Sequence, residues 1–244
     1  MHASIRTPAR RRVVCTPTAV ASILSLALVA LFVFVPEIDL EVGRALANGS
    51  AGFPLAHDGG LYLLNRTVTW IGRIGVALLL LGVLLGWLIA APRLPALRWL
   101  RERRRALLYL VAVAAIGPGL IVNALLKDHG GRARPVQVAE FGGSKRFTPP
   151  FEVADQCARN CAFVSGHAAA AAFPLTGFFL ARSRRARRAW LAAGVASGVT
   201  IGFARMLTGS HFLSDVIFSM LIVYWVAALC AAWLLPERAA DAPR

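Results

Sequence analysis

Charge is scarce in this chain, and what there is leans to one sign. Only 16% of its 244 residues are charged, with 12 acidic side chains against 27 Lys and Arg. A soluble domain of this size keeps more charge and fewer unbroken apolar runs, so a single polytopic membrane domain is the starting expectation. The formal excess of +15 does not point to nucleic acid, because the basic residues sit in short blocks between apolar segments. That placement belongs to membrane topology and to anionic lipid headgroups. Cysteine is also scarce, at four residues, and no Cys/His pair has the second spacing that zinc requires. Internal repeats and low-complexity tracts are absent. No small-residue cleavage site follows the first apolar stretch, which ends in Val33-Phe34-Val35-Pro36-Glu37, so that stretch reads as an uncleaved span. Cys15 precedes this stretch rather than following it, which excludes a lipoprotein cysteine.

Apolar runs, by contrast, are plentiful. Six are long enough to approach the ~20 residues that cross a bilayer core. They lie at roughly 17–36, 67–91, 106–126, 162–181, 189–208 and 213–235. The sequence therefore predicts an all-α protein with six transmembrane helices over 17–235, a basic N-terminus at 1–16 and a short polar tail at 236–244. Basic blocks precede the first span (Arg6, Arg10, Arg11, Arg12), separate the second from the third (Arg93, Arg98, Arg101, Arg103, Arg104, Arg105) and separate the fourth from the fifth (Arg182, Arg184, Arg185, Arg187, Arg188). Six spans put all three blocks, and both termini, on the cytoplasmic side. The loops at 37–66, 127–161 and 208–212 then face outward.

Three polar clusters lie on that outer side. In Lys127 to Pro135 (KDHGGRARP), Gly130 and Gly131 permit a tight turn that brings Lys127 and Arg134 toward one point. Arg supplies a planar fork for phosphate oxygens and Lys an adaptable point charge, although snorkelling at a helix end also accounts for both. Arg132 suits phosphate binding and loop anchoring equally. Ser165-Gly166-His167 opens the fourth span, where a hydroxyl and free backbone N–H groups can receive an anion or simply cap the helix. The third cluster runs from Arg205 to Asp215 (RMLTGSHFLSD). The four-residue step from His211 to Asp215 puts them on one helix face, where Asp215 can orient the imidazole; an interfacial ion pair is the plainer alternative. Gly117-Pro118-Gly119 should loosen the third span before it reaches the first cluster. Cys157 and Cys161 share an outer loop and form either a disulfide or two small packed residues.

Taken together, these clusters resemble the type 2 phosphatidic acid phosphatase superfamily, metal-independent lipid phosphatases with a haloperoxidase-like helical core. The family pattern is Lys, six residues, Arg-Pro; then Pro-Ser-Gly-His; then Ser-Arg, five residues, His, three residues, Asp. It is met by Lys127, Arg134-Pro135, Ser165-Gly166-His167, Arg205, His211 and Asp215. Val164 and Ala204 depart from it, standing where the family has Pro and Ser. The resemblance implies that His211 is the nucleophile, Asp215 its orienting partner and His167 the general acid. It also implies that Lys127, Arg134, Ser165, Gly166 and Arg205 bind phosphate, with no metal or other cofactor.

The string Cys157 to His167 (CARNCAFVSGH) is similar to bacterial envelope members associated with lipid A dephosphorylation. Lipid A is therefore the first expected substrate, ahead of undecaprenyl pyrophosphate and phosphatidylglycerophosphate. The expected place is the bacterial inner membrane, with the active site facing the periplasm. A phosphotransferase on the same fold and a non-catalytic lipid-binding or transport protein are the alternatives. The loop from Val136 to Cys161 reads as a specificity element: Lys145-Arg146 flanked by Phe141 and Phe147 forms either a packed lid or a grip for a second phosphate or sugar.

Overall fold

A chain that crosses lipid must pair its backbone polar groups within each segment, and a helix does this without a neighbour. The structure, a computed structural model describing residues 17–88 and 94–235, is all-helical among those residues apart from one isolated bridge between Val138 and Lys145. The expected basic N-terminus (1–16, with Cys15), Arg93 and the tail at 236–244 lie outside the described residues.

Helix α1 (Pro17–Phe34) meets α2 (Glu37–Leu46) at an 83° bend. Pro36 sits in the break, where its missing N–H and fixed φ oppose a continuous helix. Then come α3 (Gly59–Leu88), the short α4 (Pro95–Glu102) and α5 (Arg104–His129). The middle of α5, Ala115–Leu126, is wound as a π-helix around Pro118. Pro118 donates no backbone hydrogen bond, and the Asn123 side chain donates to its carbonyl at 2.6 Å. The expected loosening at Gly117-Pro118-Gly119 thus takes the form of a wider helix that keeps its course.

Among the described residues, four helices are long and apolar enough to cross a membrane: α3, α5, α8 (Arg184–Leu207) and α9 (Leu213–Leu234). The bent pair α1–α2 makes a fifth if it is counted as one span. The fourth expected span is broken into α6 (Gly166–Ala171), a 3-10 turn at Phe173–Leu175 and α7 (Thr176–Leu180). Pro174 interrupts it, since it can neither donate nor let the preceding turn continue.

Helix α9 is the packed centre and α3 the outlier: 44% of the apolar window of α9 is buried, against 6% for α3. The side chains that α3 leaves bare, including Leu63, Ile71, Ile74, Leu78 and Leu81, are apolar and suit a lipid environment. Helix α8 approaches its neighbours through Gly194, Gly198 and Gly202, spaced one turn apart. A Cβ on Gly202 would lie 2.2 Å from Val216, so α8 and α9 pack almost backbone to side chain.

This packing sets the site. The C-terminal ends of α5 and α8 and the N-terminal ends of α6 and α9 meet at one end of the bundle. Arg104–Arg105 and Arg184–Arg188 stand at the far ends of α5 and α8, about 30 Å away at helical rise.

Candidate active site

At the exit of α5 the chain turns sharply back through Gly131, whose φ is +66°. A Cβ there would fall 1.5 Å from the Ala154 carbonyl oxygen, so only glycine fits. The turn leaves Lys127 and Arg134 reaching the same residue. Lys127 Nζ donates to Asn160 Oδ1 at 2.9 Å, and Arg134 Nη2 donates to the Asn160 carbonyl at 2.8 Å. Asn160 lies in a small loop that a disulfide between Cys157 and Cys161 closes, their Cα atoms 5.6 Å apart. The loop is tied to α5 by the Cys161 N–H, which donates to the Lys127 carbonyl at 2.9 Å. Burial lowers the proton affinity of the Arg134 guanidinium, against an opposing pull from Asp215.

His211 precedes α9, so it does not share a helical face with Asp215. Its Nδ1 lies 2.8 Å from the Ala162 carbonyl oxygen and 3.5 Å from Asp215 Oδ2. Both neighbours are acceptors, so Nδ1 carries the hydrogen and Nε2 keeps its lone pair. That Nε2 is buried and has no protein partner. Burial lowers the imidazole pKa to about 4, outweighing the raising effect of Asp215, and the ring is neutral at physiological pH. Asp215 is shared among several tasks: Oδ2 caps the Phe212 N–H at 2.8 Å, while Oδ1 accepts from Arg132 Nη1 at 2.7 Å. The Ala162 carbonyl, at 2.8 Å, is the closer of the two acceptors that face Nδ1, and Asp215 stands behind it at 3.5 Å.

Ser165 caps α6, its Oγ accepting from the Ala168 N–H at 3.4 Å. A Cβ on Gly166 would lie 2.9 Å from Asn123 Oδ1 and 3.8 Å from Lys127 Cε, so glycine lets this helix start sit against the α5 exit. His167 is held by α3: its Nε2 lies 3.2 Å from Thr69 Oγ1. Thr69 gives its own hydrogen to the Asn65 carbonyl at 3.0 Å, so Nε2–H is the donor in the His167 contact. Arg205 arrives from α8 with its Nε buried and unpartnered.

These groups share one space. Lys127, Arg134 and Arg205 repel one another, and both imidazoles feel Lys127 and Arg205. Like charges held together at such cost form a ready anion site. The structure therefore brings together Lys127, Arg134, Ser165, Gly166, His167, Arg205, His211 and Asp215 from all three clusters.

Sequence reasoning missed Asp39, Asn65, Thr69 and Asn160 and left Arg132 open. Arg132 turns out to anchor: it is buried, and it donates to Asp39 Oδ2 (2.8 Å), Ser214 Oγ (2.9 Å), Asp215 Oδ1 (2.7 Å) and the Thr148 carbonyl (2.8 Å). Its guanidinium lies 4.4 Å from the Phe212 ring centroid and 5.4 Å from that of Phe147. Asp39 had a signal in the sequence: it shares the apolar face of α2 with Val42, Gly43 and Leu46, an unusual place for a carboxylate. The aromatic residues of the Val136–Cys161 loop pack inward, Phe141 on Phe53 and Phe147 on Phe212, while Lys145 and Arg146 are exposed. Among the described residues, no group of three or more His, Cys, Asp or Glu is placed to hold a metal ion.

Comparison with known proteins gives the family of the chain. Residues 105–239 match the family described as the PAP2 superfamily. A lipid A 4'-phosphatase of Francisella tularensis subsp. novicida is 35% identical over 202 residues, covering 80% of this chain and 86% of its own length. Lipid A 4'-phosphatases of Rhizobium etli and Rhizobium leguminosarum are each 34% identical, covering 79% of this chain and 73% and 81% of theirs. No solved structure gives a significant match.

Proposed function

The chain belongs to the PAP2 superfamily, and from that premise we propose that it is a membrane lipid phosphatase that removes the 4'-phosphate of lipid A. The names of the relatives support this substrate, and the cluster of buried cations at one end of an apolar bundle suits a phosphate carried at headgroup level. In this reading α1–α2 and the broken α6–α7 segment complete a six-span arrangement, with both termini cytoplasmic. The far-end arginines mark the cytoplasmic side, and the active site faces the periplasm from the inner membrane.

The observation that carries the mechanism is the buried, unpartnered Nε2 of a neutral His211. This nitrogen attacks phosphorus and forms a P–N bond as the P–O bond to the lipid breaks. The ring gains positive charge, which the Ala162 carbonyl and Asp215 receive at Nδ1–H. His167, cationic beside the bound phosphate, gives a proton to the departing lipid oxygen, then takes one from the water that attacks the phosphohistidine. Inorganic phosphate leaves, and His211 returns to its neutral form. Lys127, Arg134 and Arg205 neutralise the equatorial oxygens, aided by Ser165 and the Gly166 N–H, where most of the stabilisation of the transition state arises.

A phosphate-release panel over lipid A, undecaprenyl pyrophosphate and phosphatidylglycerophosphate tests the proposal. Wild-type protein should release phosphate from lipid A, and His211→Ala should release none while remaining folded and membrane-inserted. Turnover by His211→Ala would remove the covalent step. Preference for another lipid would remove the substrate assignment.

A further inference from the structure

Asp39 lies outside the family-matched segment, on α2, yet it is buried against the residues that hold His211. It does three things there. Its Oδ2 accepts from Arg132 Nη2 at 2.8 Å and from the Ser214 hydroxyl; its Oδ1 accepts from the Ser214 N–H at 2.8 Å. Arg132 is thus suspended between two buried carboxylates, Asp39 and Asp215. The Arg132 backbone closes the circuit from the other side: its carbonyl accepts from the Ala162 N–H at 2.9 Å, and the Ala162 carbonyl accepts from His211 Nδ1.

We propose that Asp39 is a positioning residue for the phosphatase reaction, acting on His211 through Arg132 and Asp215. This rests on His211 as the nucleophile. The physical reason is a division of charge. One guanidinium facing one carboxylate would neutralise it, and a neutralised Asp215 would do little for the positive charge that His211 acquires on phosphorylation. With Asp39 claiming Nη2, Arg132 gives Asp215 only Nη1, and the three groups keep one net negative charge directed at Nδ1–H. Asp39 also fixes the first turn of α9 through Ser214, and hence where Asp215 stands. Solvent cannot replace either function, because Asp39, Arg132 and Asp215 are all buried.

The test is Asp39→Asn, which keeps the shape and can still accept from the Ser214 N–H but presents an amide to Arg132. Phosphate release from lipid A should fall in kcat by about 100-fold, the scale of a displaced catalytic group, with KM and competitive inhibition by inorganic phosphate little changed. Formation of the phosphohistidine in a single turnover should slow by the same factor. Ser214→Ala, which removes one hydroxyl from the network, should give a smaller loss of the same kind and serves as the readout if Asp39→Asn fails to fold. Wild-type kcat in a folded Asp39→Asn protein would overturn the proposal. So would a fall in kcat matched by weaker phosphate inhibition and a lower melting temperature, the pattern of a merely structural role. A wild-type protein that released no phosphate from any lipid would instead refute the phosphatase reading itself.

Discussion

At the residue scale, the site is a set of charges held where they would not stay by themselves. His211 is the clearest case, and its burial has a consequence for stability. The folded imidazole, with a pKa near about 4, binds fewer protons than an unfolded one at 6.5. Its neutral burial therefore favours the folded state fully above pH 6.5, and that contribution is lost as pH falls from 6.5 toward about 4. Thermal unfolding in detergent should show wild-type protein losing melting temperature across that window more steeply than His211→Gln; parallel curves would sink the argument. Arg132 makes the opposite case. Replacing it with Met leaves Asp39 and Asp215 buried together without a cation, at a cost of about 3–5 kcal/mol. A melting temperature unchanged in Arg132→Met would refute the anchoring role. The sequence made the site's cations and imidazoles legible because each has a fixed place in a short motif. It left Asp39, Asn160 and Thr69 unread because their partners are 93, 33 and 98 residues away, and no local periodicity encodes such contacts. Arg132 stood between: its type was visible within the first motif, its partners were not.

At the element scale, helix ends rather than helix bodies carry the residues of the proposed site, and each end is stopped by an identifiable device. Gly131 ends the α5 exit with a positive φ, Ser165 caps α6, and Asp215 caps the start of α9 from within it. The smallest device is the Cys157–Cys161 loop, which presents Asn160 to Lys127 and Arg134. Reduction of that bond frees the loop and lets the two cations spread. Phosphate release should therefore fall several-fold in kcat/KM under reductant, and a protein with both cysteines changed to Ser should start low and not respond. Equal sensitivity of the two proteins to reductant would show that the loop does not act through its sulfur bridge. The broken segment at 162–181 teaches a related lesson. Its Ala-rich hydropathy predicts one span, but Pro174 divides it, and the shorter α6 gains the freedom to aim His167 at the site.

At the scale of the whole molecule, α5 and α8 separate an arginine-rich end from the end that holds the proposed phosphate site by about the thickness of a bilayer core. The proposed orientation has a direct check in single cysteines placed at the two ends, with Cys15 and Cys230 replaced by Ser. A membrane-impermeant maleimide should label Lys145→Cys from the periplasmic side and reach Arg101→Cys only after permeabilisation. Labelling in the reverse order would invert the topology, and equal labelling would remove it.

The network around Arg132 also fixes an order of assembly. Asp39 leaves the ribosome well before Arg132, and Arg132 well before Ser214 and Asp215, so the earliest carboxylate must wait for partners that the chain has yet to supply. The catalytic pocket consequently cannot close before the first turn of α9 is supplied. A nascent chain arrested anywhere short of α9 would hold an anchored but inert bundle, and a defect in inserting that final helix would read as lost catalysis before it read as lost protein.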